Sequence, residues 1–239
     1  MEEHSTRATA YPGSEAVVYD ENRFTDEGGQ RIHELELQKV LDASQELSRG
    51  SSIAEIGCGT GRLLVEFNAR GFSLHGVDAS ADMIAQPRSK FEPNVAPVFR
   101  VASAHETGFD PDTFDFVYSV RLLNQTESPE YALTVIEEIA RIAKPGAKVV
   151  VEYIPERRPA LGGASRDSVR LRADDVRRTA ELAGLRVDHF RGSFILGMQA
   201  FKASPKALFP ILNVLDRLGD RFIPTACARV YLTATKLDK

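Results

Sequence analysis

Glu55 stands two residues ahead of three alternating glycines, Gly57, Gly59 and Gly61, in the stretch SSIAEIGCGTGRLL. Glycine at such positions lets the backbone take positive φ and lets a ligand lie against the main chain with no Cβ in the way. The dinucleotide fingerprint spaces its glycines differently, G-x-G-x-x-G, and aims a helix N-terminus at a pyrophosphate. Here the spacing is G-x-G-x-G with an acid at the loop's entrance. That arrangement repels a pyrophosphate and suits a ligand carrying an ammonium and a sulfonium. Asp78, in HGVDAS, follows about 20 residues on, where a carboxylate accepts hydrogen bonds from both hydroxyls of a ribose. Cys58 sits inside the loop and reads as a small hydrophobe rather than a nucleophile. His33, His75, His105 and His189 are scattered without metal-ligand spacing, and Cys58 and Cys227 lie far apart, so neither a metal site nor a disulfide framework is expected.

These residues need elements to hold them. SIAEIG reads as a strand entering the glycine loop, and GRLLVEFNAR as a helix leaving it, closed by Gly71. SLHGVD is a second strand with Asp78 at its end. SADMIAQPRSKF is a helix opened by Ser80 as N-cap. PVFRVAS and FDFVYSV are a third and a fourth strand, PEYALTVIEEIARIA a helix terminated by Lys144-Pro145-Gly146, and AKVVVEYI a fifth strand. The rhythm loosens through PERRPALGGASRDS. It resumes with a helix, RADDVRRTAELAG, a strand near LRVDHFRGS, a helix around SPKALFPILNVLDRL and a final strand, ARVYLTATK. Upstream, RIHELELQKVLDASQEL has helical spacing, and residues 1 to about 13 are a polar tail or lid. Strand alternating with helix predicts an α/β fold, a doubly wound, mostly parallel seven-stranded sheet with helices on both faces and its last strand antiparallel. We expect an N-terminal arm and helix over 1–48 and the main domain over 49–239, with insertions shaping a substrate pocket around 155–170 and 194–225.

The chain has 239 residues, 43% apolar and 27% charged, enough for a sizeable core. Its net charge of −4 gives no overall basic field to draw in nucleic acid or an anionic membrane. A local patch is possible, since arginines gather between Glu156 and Arg178; the segment from Arg166 to Arg178 reads most simply as a solvated helix face. No apolar stretch approaches the roughly 18 to 20 residues of a membrane span, and the N-terminus lacks an apolar signal core, so the expected location is cytoplasmic.

Taken in order, AEIGCGTGRLL, GVDASADMI, FDPDTFDFVYSV and IARIAKPGAKVVVEY resemble the class I S-adenosylmethionine-dependent methyltransferases, their small-molecule branch above all. The likeness is strong over residues 50 to 155 and weaker beyond, where VRRTAELAGLRV is similar to the late helix and strand of that Rossmann-like fold. It implies S-adenosylmethionine as cofactor, a small-molecule acceptor and methyl transfer to an O, N or C atom. It implies that Gly57, Cys58, Gly59 and Gly61 line the methionine and ribose, that Glu55 holds the methionine ammonium, and that Asp78 takes the ribose diol. Ala79 then lies beside the adenine with Met83 packed near it. Where the family commonly places an acid for the adenine amino group, this chain has Ser103 followed by Ala104. Arg121, Leu122, Asn124 and Gln125 fall between cofactor and acceptor, and Tyr11, Tyr19 and Arg23 lie in an arm that folds over the cofactor. No catalytic base is assigned; the candidates are His105, Asn124 and Tyr19. Rival readings are a cofactor-binding relative that transfers nothing, an RNA methyltransferase and, least favoured, an NAD-dependent oxidoreductase.

Overall fold

β-Branched and aromatic residues dominate the strands, and nearly every side chain of the central ones is buried on both faces, as a parallel sheet covered by helices requires. The computed structural model describes residues 13–86, 90–91, 97–157 and 168–238. Among these, the strands are β1 (Ser52–Ile56), β2 (Ser73–Asp78), β3 (Val98–Val101), β4 (Phe114–Ser119), β5 (Ala143–Tyr153), β6 (Leu185–Ser193) and β7 (Arg229–Lys236). They form one seven-stranded sheet in the order β3-β2-β1-β4-β5-β7-β6. β1 to β5 pair in parallel, and β7 runs antiparallel between β5 and β6. The expected doubly wound sheet with an antiparallel last strand is therefore present. Its strand order reverses between β1 and β4, and the carboxyl ends of those two strands open the crevice where such folds take their ligands.

One face of the sheet is covered by α4 (Pro129–Ile142) and α5 (Ala173–Leu182), whose Val135, Ile136, Ile139, Val176 and Ala180 pack with Val149, Val151 and Leu232. Ser128 caps α4 by accepting from the Tyr131 amide at 3.1 Å, and Pro129 opens its first turn. The other face is covered by α2 (Glu27–Ala43), through Val40, and by a 3-10 segment, Leu64–Arg70, against Ile53, Phe116, Tyr118 and Val150. A third cluster joins Ile32 of α2 to Phe194, to Phe201 of α6 (Met198–Ala203) and to Phe209 of α7 (Phe209–Phe222).

Several elements differ from the expectation for identifiable reasons. The segment after the glycine loop is 3-10, not α; three residues per turn put Leu64 and Phe67, both fully buried, on one edge. α2 starts earlier than its apolar spacing suggests, capped by Asp26 at Gly29 N, 2.5 Å. Gly28 and Gly29 mask that start, yet each is needed: a Cβ would meet the Lys202 backbone at 2.6 Å and the Arg23 carbonyl at 2.4 Å respectively. Lys144-Pro145-Gly146 does not end α4 in a turn; these residues lie in β5, where the pairing with β4 shifts register between Phe114 and Phe116. Gly13–Phe24 forms a helix, α1, that the polar sequence did not announce. α3 (Ala81–Ile84) is one short turn, with Ser80 as its cap at 3.3 Å from Met83 N. The expected pocket segment 155–170 lies in good part, at 158–167, outside the described residues, as does Tyr11. Among the described residues no helix is long and apolar enough to cross a membrane, and no group of three or more His, Cys, Asp or Glu side chains is placed to hold a metal ion.

Candidate active site

β1 ends at Ile56 and the chain turns sharply through Gly57 (φ 75°), Gly59 (φ 51°) and Gly61 (φ 69°), a left-handed backbone that favours glycine. The amides of Gly57 and Cys58 both donate to the Val77 carbonyl, at 2.7 and 2.9 Å, which ties the loop to the end of β2. Asp78 then clasps the loop from the side. Its carboxylate accepts from the Gly59 amide at 2.8 Å and from the Ser80 amide at 2.9 Å. Burial pushes the Asp78 carboxyl above its ordinary value, opposed by those amides. Each of its oxygens keeps a further lone pair for a ligand hydroxyl.

Glu55 projects from β1 beneath the loop and is buried. Burial pushes its carboxyl up to about 8, against the pull of Arg62 and hydrogen bonds from the Tyr118 hydroxyl, at 3.1 Å, and the Leu64 amide. A cleft at the carboxyl ends of β1, β2 and β4 brings both acids together, with about 930 Å³ of empty space counting that open to solvent. Tyr19, Glu55, Gly57, Cys58, Gly59, Asp78, Ala79, Met83, Ala104 and Arg121 line it. Burial raises the Cys58 thiol well above its usual range, so it is no nucleophile at neutral pH. Tyr19 reaches the cleft from α1, which is fastened over the loop: Asp20 accepts from the Thr60 hydroxyl at 2.9 Å and from Lys90 at 2.5 Å.

Leu122 and Gln125 line the cleft beside Arg121, as expected, while several other expected residues lie elsewhere. Gly61 shapes the loop from behind, donating to the Cys58 carbonyl at 2.8 Å. Ser103 turns to His105 Nδ1 (3.0 Å) and the Tyr131 hydroxyl (2.8 Å), and neither Ser103 nor His105 lines the cleft. Asn124 is buried with its Oδ1 unpartnered, beside the cleft rather than in it. Thr60, Arg62, Ala102, Val120 and Thr126 line the cleft without having been singled out in the sequence, as does Ser80, expected only as a helix cap.

Beside the cleft runs a network of buried charge that sequence reasoning missed. Glu36 of α2 accepts from Arg121 Nε at 2.6 Å and from Arg62 at 2.7 Å. Burial pushes the Glu36 carboxyl up, yet the two guanidiniums outweigh this and hold it below its usual range. Glu152 of β5 accepts from the Arg121 backbone amide at 2.5 Å and from Arg229 at 2.9 Å. Arg121 itself takes φ 62°, a conformation that a non-glycine residue adopts at a cost, here held by the two glutamates. The signal was present: Ile32, Glu36 and Val40 share one helix face, and a carboxylate between two fully buried aliphatics must have partners.

Residues 54–151 match the model of a family described as a methyltransferase domain. The chain is 28% identical over 133 residues to O-methyltransferase rstn1 of Aspergillus nomiae, covering 54% of this chain and 52% of that protein. It is 31% identical over 107 residues to the ubiquinone biosynthesis O-methyltransferase of Pseudomonas aeruginosa, covering 44% and 45%. It thus spans about half the length of the curated relatives it matches. The fold is shared with magnesium protoporphyrin IX methyltransferase from Synechocystis, solved with bound SAM, at TM-score 0.58 and 16% identity over 87% of this chain and 80% of that one. Residues 54–151 thus match a methyltransferase domain, on a fold shared with S-adenosylmethionine-dependent methyltransferases.

The residues present fit that family's cofactor. A Cβ on Gly57 would meet the Leu122 side chain at 2.8 Å, and one on Gly59 the Met83 methyl at 3.0 Å, so both glycines keep open a cradle that any other residue would fill. Glu55 and Asp78 both line the cleft, at the ends of the adjacent strands β1 and β2.

Proposed function

We propose that the chain transfers a methyl group from S-adenosylmethionine to a hydroxyl oxygen of a small-molecule acceptor. The observation that carries this is the pairing of a buried carboxylate, Glu55, with a partly buried one, Asp78, on either side of a glycine loop that leaves a cofactor-sized cleft. The bound cofactor supplies an electrophilic methyl on a sulfonium. Glu55 balances its ammonium, Asp78 receives the ribose diol, Met83 and Ala79 pack the adenine, and Ala102 and Ala104 leave that wall apolar. α1, with Tyr19, covers the loop and keeps water from the reacting atoms. Holding donor and acceptor in line is worth up to ~7 to 11 kcal/mol, so orientation can carry most of the rate.

Two features favour an oxygen acceptor. The two relatives described above are named O-methyltransferases. The cleft is also lined by two guanidiniums, Arg62 and Arg121, the latter bonded through Nε to Glu36. A guanidinium beside an acceptor hydroxyl favours its anion and reduces the need for a separate base. Arg121 lines the cleft and is the residue we assign to the acceptor oxygen. The test is release of S-adenosylhomocysteine with a panel of phenols, carboxylic acids and amines. Turnover of a phenol, with Arg121→Gln losing kcat mainly at low pH where the phenol is neutral, is expected. Turnover of amines alone overturns the oxygen assignment.

A further inference from the structure

The guanidinium of Arg121 has two hydrogen-bond partners of unlike strength. At Nε it donates to the buried Glu36 carboxylate at 2.6 Å. At Nη2 it donates to the thioether sulfur of Met198 at 3.2 Å. A carboxylate is a strong, charge-assisted partner, whereas a thioether is neutral and a weak acceptor. A largely buried cation that faces sulfur at one edge is short of hydrogen bonding, and an oxygen brought to that edge supplies what the sulfur does not. The Nε edge is closed to exchange. Releasing it would strand Glu36, a fully buried carboxylate that also accepts from Arg62 at 2.7 Å. The backbone of Arg121 is pinned as well, its amide bonded to Glu152 at 2.5 Å, and the ring centroid of Phe24 lies 5.3 Å from its Cζ. Met198 is the partner able to swing away. It is unbranched, half-buried and opens the short helix α6, just after Gly197 at φ 85°. It packs on the apolar cluster of Ile32, Phe194 and Phe201.

We propose that the acceptor oxygen is received at Arg121 Nη2, in the position held by the Met198 sulfur, and that Met198 keeps this position exchangeable by bonding there only weakly. The inference rests on the methyl-transfer reading above; it adds the atom that meets the acceptor and the side chain that yields to it. A hydroxyl oxygen displaces the sulfur, and as it ionises its bond to the guanidinium strengthens, so the exchange favours the nucleophilic form. The carbon body of the acceptor then lies toward apolar side chains, Phe24 and Met198, as a phenol requires.

The test follows release of S-adenosylhomocysteine with the fastest phenol of the panel above as probe, across the pH range in which that phenol ionises. Met198→Leu removes the sulfur with little change in volume; it is expected to keep kcat within about twofold and to keep the parent's pH profile. Met198→Gln sets a stronger oxygen acceptor against Nη2. It is expected to lower kcat about tenfold where the phenol is neutral, the scale of one hydrogen bond to a charged group, with little loss where the phenol is ionised. Added to Arg121→Gln, Met198→Gln should cost nothing further, because it acts through the guanidinium. Affinity for S-adenosylhomocysteine and Tm should match the parent in both Met198 variants, which separates this inference from the cofactor site. Equal losses in the Leu and Gln variants, a Gln loss that does not vary with pH, or losses that add in the double variant overturn the proposal. Turnover of amines alone, or an Arg121→Gln variant with the parent's pH profile, overturns the oxygen assignment and this inference with it. Loss at low pH in Arg121→Gln with no effect of Met198→Gln overturns this inference alone.

Discussion

Glu55 offers the sharpest quantitative consequence of the site. Burial holds its carboxyl near 8 in the free protein, so at neutral pH it is mostly protonated. A ligand ammonium placed against it favours the ionised form, and the carboxyl then titrates lower in the complex than in the free protein. Between those two values binding releases a proton, so affinity rises with pH and levels off near the free-protein value. At pH 7, about one unit below that value, ionising Glu55 costs about 1.4 kcal/mol, close to a factor of ten in affinity. The assay is equilibrium binding of S-adenosylhomocysteine from about pH 6 to 7.5, where the ligand's own amine stays largely charged. Calorimetry in buffers of different ionisation enthalpy counts the protons. Kd is expected to fall about tenfold per pH unit, with close to one proton released at pH 7. Glu55→Gln cannot ionise; it should bind about tenfold more weakly at the upper end of this range and lose the slope. A parent Kd that is flat with pH, or an unchanged slope in the variant, refutes the assignment of Glu55 to the ammonium.

Two further outcomes follow from packing. Gly57→Ala forces a Cβ to 2.8 Å from the Leu122 side chain at φ 75° and should cost about 1 to 3 kcal/mol of stability along with most cofactor affinity, read by Tm and binding. Glu36→Gln leaves Arg62 and Arg121 without their buried carboxylate and should destabilise by about 3 to 5 kcal/mol, roughly 6 to 20 °C in Tm; a change below 1 °C would show the network to be ornamental.

The site was legible in part because its chemistry is local in sequence. Glu55 and Asp78 lie at the ends of two adjacent parallel strands, with Gly57 and Gly59 in the loop that follows the first, so spacing alone brings them together. Arg121 was legible for the same reason, at the end of β4. The partners that set its position were not, because Glu36, Glu152 and Arg229 come from α2, β5 and β7, and only the folded sheet assembles them. Ser103 and His105 looked well placed in VASAH, but one local turn directs both toward Tyr131 instead of the cleft. α1 was hidden by composition: GSEAVVYDENRF buries only Ala16, so its helix rests on contacts such as Asp20 with Thr60 rather than on an apolar stripe. The antiparallel pairing of β7 was expected, whereas the strand character of Lys144-Pro145-Gly146 ran against turn propensity and arises from the register shift beside β4.

The measurement that bears most directly on the cofactor site is equilibrium dialysis of radiolabelled S-adenosylmethionine against the protein and against Asp78→Ala, with NAD as competitor. Two charge-assisted hydrogen bonds to the ribose, at about 1.5 kcal/mol each, predict a loss of roughly a hundredfold in the variant and no displacement by NAD. Equal binding by protein and variant, or displacement by NAD, would contradict the site described.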